Sequence, residues 1–253
     1  MRETQTLMIP WELLDSVQMP GNGEALRLYK RGEEFSIRVD THELMNSRLH
    51  GSEDALADLA CARIADRSSS RVLIGGLGMG YTLAAALRRL GAGGQVIVAE
   101  LVPAVVAWNR GPLAELAGRP LQDHRVTVQE VDVARLLEGE RQAYDAILLD
   151  VDNGPVSLTR KGNDRLYARA GLDVAFAALR PKGVLAFWSA APDRAFVQRL
   201  RRVGFQVDEV SVPARGPRGG RRHTIWLAER GQVSKVVIPS GQRAKPSHPK
   251  RKM

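Results

Sequence analysis

Residues 71–82, Arg71-Val72-Leu73-Ile74-Gly75-Gly76-Leu77-Gly78-Met79-Gly80-Tyr81-Thr82, decide the fold. An apolar run that breaks into glycines and then resumes at helical period reads as a buried strand, a tight turn and a helix. Glycines at 76, 78 and 80 let the backbone turn sharply and approach a ligand with no side chain in the way. Their spacing is Gly-x-Gly-x-Gly. The dinucleotide fingerprint ends on a further glycine, which Thr82–Ala84 do not supply, and no Gly-Lys-Ser/Thr follows to make a phosphate loop.

Downstream of this turn the apolar pattern alternates. Arg71–Ile74, Gln95–Ala99, Val126–Gln129, Ala146–Asp150 and Val184–Trp188 are predicted strands. Tyr81–Leu90, Val102–Asn109, Val133–Leu137, Leu166–Leu179 and Arg194–Val203 are predicted helices. Short all-apolar strands such as Ile147-Leu148-Leu149 need cover on both faces, which a parallel sheet flanked by helices provides. The expected fold is therefore a Rossmann-like, doubly wound α/β sheet. Two last strand-like runs, Phe205–Val212 and Thr224–Ala228, should pair antiparallel at its end.

Upstream, Leu56, Leu59, Ala60 and Ile64 share one helical face, with Ser52 as N-cap and two acids in the first turn. Before that the period is two. Phe35, Ile37 and Val39 alternate with polar residues, Leu26 and Leu28 begin a similar run, and Trp11–Val17 offers a third. Three short strands cannot bury a core alone, so this hairpin unit must lean on the main domain or on a second subunit, and a homodimer is expected. The sequence thus divides into an N-terminal β-hairpin domain (1–48), a nucleotide-binding catalytic domain (49–230) and a basic tail (231–253).

The chain has 253 residues and a net charge of +9. From Arg215 onward eleven Lys/Arg face one acid, Glu229, which leaves 26 bases against 27 acids in the preceding body. Basicity is thus a property of the tail, and nucleic acid could be engaged only there. Val236–Ile238 reads as a short strand. No apolar run reaches the 18 or more residues of a membrane span, and the start MRETQTLMIPWELL reads as too polar and acidic for a secretory leader. A single cysteine, Cys61, in an apolar helical stretch fits packing in a reducing cytoplasm.

Acids follow three successive strands: Glu100 after the second, Asp132 after the third and Asp150 at the end of the fourth. Open α/β sheets bind ligands at that edge, and an acid about twenty residues past the glycine turn faces a ribose. Helix capping is the competing role for Asp132.

Taken together, Gly-Gly-x-Gly-x-Gly, Val98-Ala99-Glu100, Val131-Asp132 and Tyr144-Asp145-Ala146-Ile147-Leu148-Leu149-Asp150 resemble the spermidine synthase family. The N-terminal hairpin and the segment from His42-Glu43-Leu44 through His50 and Glu53 are similar to it as well. The resemblance covers most of residues 12–228. It implies the sheet type of S-adenosylmethionine-dependent methyltransferases. It also implies transfer of an aminopropyl group from decarboxylated S-adenosylmethionine to putrescine or a related amine. Gly76, Gly78 and Gly80 would cradle the nucleotide, Glu100 hold the ribose, Asp132 the adenine amino group, and His50 would stand nearby.

A sulfonium donor and a cationic amine acceptor both suit a carboxylate lining. Asp150-Val151-Asp152-Asn153-Gly154-Pro155 offers two acids at the sheet edge, with Asp152 expected as the base and Asp150 as its partner. No His/Cys cluster suggests a metal. Two features depart from the family. Gly78 stands where an aspartate is usual, and the loop after Asp150 is two residues shorter than the Asp-Ser-Ser-Asp-Pro pattern. A methyltransferase using ordinary S-adenosylmethionine is the alternative. A further alternative is a silent nucleotide-binding protein whose basic tail holds RNA. Of the other candidates, Tyr167 could line the acceptor pocket or belong to the core, and Trp188 could stack on a ligand or be buried. His124 is expected to be exposed, and His223 and Trp226 receive no role.

Overall fold

In the computed structural model, residues 9–20, 23–150, 164–216 and 219–231 are described. Four antiparallel strands come first: β1 (Glu12–Gln18), β2 (Ala25–Arg31), β3 (Glu34–Val39) and β4 (His42–Asn46). The fourth escapes sequence reading because its alternation is weak: none of its residues is fully buried. Helix α1 (Gly51–Ala62) then leads to β5 (Arg71–Gly75), α2 (Tyr81–Arg89), β6 (Gln95–Glu100) and α3 (Pro103–Arg110). After these come β7 (Val126–Glu130), α4 (Val133–Glu138) and β8 (Tyr144–Leu149). The chain continues through α5 (Asp164–Tyr167), α6 (Arg169–Ala178), β9 (Leu179–Ser189), α7 (Arg194–Val203), β10 (Phe205–Pro213) and β11 (Arg222–Arg230).

The second sheet has seven strands in the order β10-β11-β9-β8-β5-β6-β7. Every pair from β9 to β7 is parallel, whereas β11 is antiparallel to both β9 and β10. The chain winds outward from β5 in two directions, so the strand order reverses between β5 and β8. Such a switch point opens a crevice at the carboxyl ends of the strands.

Alternate residues of the central strands enter two different buried clusters. Val72, Ile74, Ala146 and Leu148 pack on the side of α1, α2 and α3, while Leu73, Ile147 and Leu149 pack on the side of α6 and α7. Both faces are thus covered, as the all-apolar strands require. The small sheet leans on the main body: Leu26, Leu28, Phe35, Ile37 and Val39 join the first cluster, and the Trp108 indole N–H of α3 donates to Asp15 of β1 (2.7 Å). At the amino-terminal foot of the large sheet one buried carboxylate, Asp145, ties three strands together. It accepts from the Arg71 backbone N–H (2.7 Å) and from Arg180 (2.6 Å), and it pairs with Arg67.

Two local expectations need correction. Ser52 is not the N-cap of α1: His50 occupies that position, and Ser52 lies inside the helix with its hydroxyl donating to Glu53 (2.7 Å). The single helix expected over Leu166–Leu179 is two, parted at Ala168, whose backbone is extended (φ −71°, ψ 159°). The break lets Tyr167 turn into an aromatic cluster with Phe187 and Phe196, both 5.5 Å away between ring centres. Val236–Ile238, with the tail around it, lies outside the described residues.

Candidate functional site

The glycine turn between β5 and α2 forms as its composition demands. Gly76, Gly78 and Gly80 have φ of 89°, 53° and 82°, a region side chains rarely adopt. Crowding enforces the choice at two of them. A Cβ on Gly80 would stand 2.9 Å from the Asn109 side-chain oxygen. The same Asn109 is buried and donates its amide to the carbonyls of Gly78 (2.8 Å) and Val105 (2.9 Å), clamping the turn to α3. A Cβ on Gly78 would stand 2.7 Å from the terminal methyl of Met45, brought over from β4. The thioether thus occupies the space beside position 78.

Glu100, the last residue of β6, is 7 % exposed. One carboxylate oxygen accepts the Leu77 N–H (2.9 Å) and the other the Val102 N–H (2.8 Å), which fixes the turn to the second strand. A carboxylate has about four acceptor sites, so one group can accept both from backbone and from ligand hydroxyls. Asp132 caps α4, accepting the Ala134 N–H (2.8 Å), and it also faces the crevice. Capping and lining coexist there. Asp150 follows β8, receives the Thr82 hydroxyl (2.8 Å) and holds its backbone N–H on the Gly75 carbonyl (3.0 Å).

These groups open onto one cavity of about 630 Å³. Gly76, Gly78, Glu100, Asp132 and Asp150 all line it, so five of the expected site residues are brought together. Gly80 and His50 are not among the lining residues. His50 instead stacks on Tyr81 (4.1 Å between ring centres) and bonds Asp54 (2.8 Å). Asp152 lies outside the described residues. Tyr167 belongs to the core, Trp188 lines the cavity, and His124 is exposed.

Three lining residues had no role in the sequence reading. Glu53 is buried on the inner side of α1 near Asp150. Burial, with the Asp150 charge as the next cause, pushes its carboxyl up to about 8. At neutral pH Glu53 therefore holds its proton. The signal was present in the spacing: Glu53 precedes Leu56, Ala57 and Ala60 by three, four and seven positions, which puts an acid in an apolar stripe. His223 of β11 meets the Ser52 hydroxyl (2.9 Å), so Ser52 bridges Glu53 and His223. Burial and then the nearby Arg221 hold the His223 imidazole below its usual range. Met45 is the third.

No family model and no curated protein matches the sequence. Solved structures do match. A spermidine synthase from Thermotoga maritima superimposes with a TM-score of 0.67 at 16 % identity, over 87 % of this chain and 73 % of that one. A spermidine synthase in complex with the transition state analogue AdoDATO gives 0.67 at 17 % identity, over 87 % and 72 %. A probable spermidine synthase from Corynebacterium glutamicum ATCC 13032 gives 0.60 at 14 % identity, over 86 % and 79 %. In fold, the chain is spermidine synthase-like. At position 78 the turn carries glycine, and the Met45 methyl fills the space beside it. Among the described residues no cluster of three metal-ligating side chains occurs, and no helix is long and apolar enough to cross a membrane.

Proposed function

We propose that this chain transfers an aminopropyl group from decarboxylated S-adenosylmethionine to a small amine, putrescine or a relative of it, in the cytoplasm. The observation that carries the reading is the Glu53–Asp150 acid pair beside the glycine turn, inside a cavity also lined by Glu100 and Asp132. Such a lining suits a ligand that is cationic at two points.

The cavity fits an adenosyl nucleotide in its own terms. Its volume is within the range of small-molecule sites, and Gly76 and Gly78 offer bare backbone beside Glu100. Glu100 would hold the ribose hydroxyls and Asp132 the adenine amino group. The donor supplies a carbon activated by attachment to a positive sulfur. Asp150 would grip the acceptor's distant ammonium, and Asp152 would take the proton from the attacking nitrogen. The amine lone pair then forms the C–N bond, and the C–S electrons return to sulfur as a neutral thioether. Holding nitrogen and carbon in line supplies much of the rate.

Incubation with decarboxylated S-adenosylmethionine and putrescine should release methylthioadenosine and the lengthened amine in equal amounts. Asp152→Asn should abolish that turnover while leaving methylthioadenosine binding intact. Failure of every small amine to release the thioether would sink the proposal. A second reading, methyl transfer from ordinary S-adenosylmethionine, is favoured by one observation: at position 78 the cavity presents glycine and the Met45 methyl in place of an acid.

A further inference from the structure

The cavity has a second pole, of opposite charge. Arg215 and Arg221 line it, and both come from the connection between β10 and β11. Backbone bonds hold this connection in place: Ala214 N–H donates to Arg221 O (2.8 Å) and Arg215 N–H to Gly219 O (3.0 Å). Gly51 N–H, the first residue of α1, donates to Ala214 O (3.0 Å), so the connection is seated on the helix that carries Glu53. The approach is close, for a Cβ on Gly51 would collide with the Gly216 nitrogen at 2.1 Å. The positive end of the twelve-residue α1 dipole is therefore on the same side as the two guanidiniums.

Several arginines elsewhere face carboxylates: Arg67 and Arg180 pair with Asp145, Arg88 with Asp54 and Arg89 with Asp58. Arg215 and Arg221 have no carboxylate partner among the described residues, although five acids line the same cavity. Arg221 lies close enough to His223 to disfavour a charge on the imidazole. A polyamine alone gives two guanidiniums and a neutral imidazole nothing to bind. A planar, bidentate anion gives them a partner.

We propose that Arg215 and Arg221 form a carboxylate-binding subsite, so that one of the two substrates is an α-amino acid and not a plain amine. The inference rests on the adenosyl-nucleotide reading of the cavity and adds the chemical class that this end selects. The carboxylate has two possible carriers. It is either the methionine carboxylate of an S-adenosylmethionine that has kept it, or the carboxylate of a diamino-acid acceptor.

Two matched pairs of probes separate the carriers, each pair differing by that one group: S-adenosylmethionine against its decarboxylated form, and ornithine against putrescine. Affinities are measured calorimetrically on the full chain, with the second pair titrated onto protein saturated with methylthioadenosine. In one pair the carboxylated member should bind at least about tenfold more tightly. The preference should fall to near unity in Arg215→Gln/Arg221→Gln, with methylthioadenosine affinity unchanged as the control for an intact site. The carboxylated probe should also raise the His223 titration point followed by NMR, and this response should vanish in the double variant. Equal or inverted affinities in both pairs, or a preference that survives the double substitution, overturn the inference. Loss of methylthioadenosine binding by the unsubstituted chain would instead overturn the nucleotide reading beneath it.

Discussion

Glu53→Gln should make the chain more resistant to alkali. In the fold Glu53 is 9 % exposed and its carboxyl is raised from 4.5 to about 8, by burial first and by Asp150 next. A raised carboxyl means that the folded state holds the proton more tightly than the unfolded chain. The stabilising contribution is complete below about pH 4.5 and is lost as the pH climbs through about 8. At 1.36 kcal/mol per pH unit, the whole span amounts to roughly 5 kcal/mol, and the part between pH 5.5 and 8 to roughly 3 kcal/mol. Glutamine keeps the shape and an oxygen for the Ser52 hydroxyl but never ionises. Urea unfolding of both proteins at half-unit steps from pH 5.5 to 8.5 should show wild type losing roughly 3 kcal/mol relative to the variant. Parallel pH–stability curves would refute the assignment of a neutral, proton-holding Glu53.

Binding of putrescine near pH 7 should expel up to one proton, because a cation beside Glu53 favours its ionised form. Calorimetry in buffers of different ionisation enthalpy reads that release, and a heat independent of buffer would contradict it. Glu100→Gln puts an amide N–H against one of two backbone donors, Leu77 or Val102, and should weaken methylthioadenosine binding about tenfold or more. Gly78→Asp should cost about 1–3 kcal/mol of stability, since its Cβ meets the Met45 methyl at a positive φ of 53°. Adding Met45→Ala should recover part of that loss, and strict additivity of the two substitutions in urea melts would deny the contact.

What the sequence disclosed was what is local. The strand Arg71–Ile74, its glycine turn and the acids closing β6 and β8 can be read because each is encoded within a few residues. Asp132 could be placed at the edge for the same reason, and it caps α4 while lining the cavity. The partners of Gly78 could not be read: Met45 arrives from a strand too polar to be recognised, 33 positions earlier. Nor could the link among Glu53, Ser52 and His223, which spans about 170 residues and exists only because β11 inserts beside β9. Ser52 looked like a cap because its hydroxyl lies near a helix start, but its bonds run to side chains instead.

The reversed strand has a practical consequence. Its neighbours deliver only their endings to the ligand crevice, whereas β11 delivers its beginning, and the hairpin leading into it lines the opening through Arg215 and Arg221, its two legs joined by one ladder of nine residue pairs. Its two lining arginines can be recharged while the buried Val212 and Ala214 beside them are left as they are. It is the natural handle for anyone wishing to retune what this protein admits.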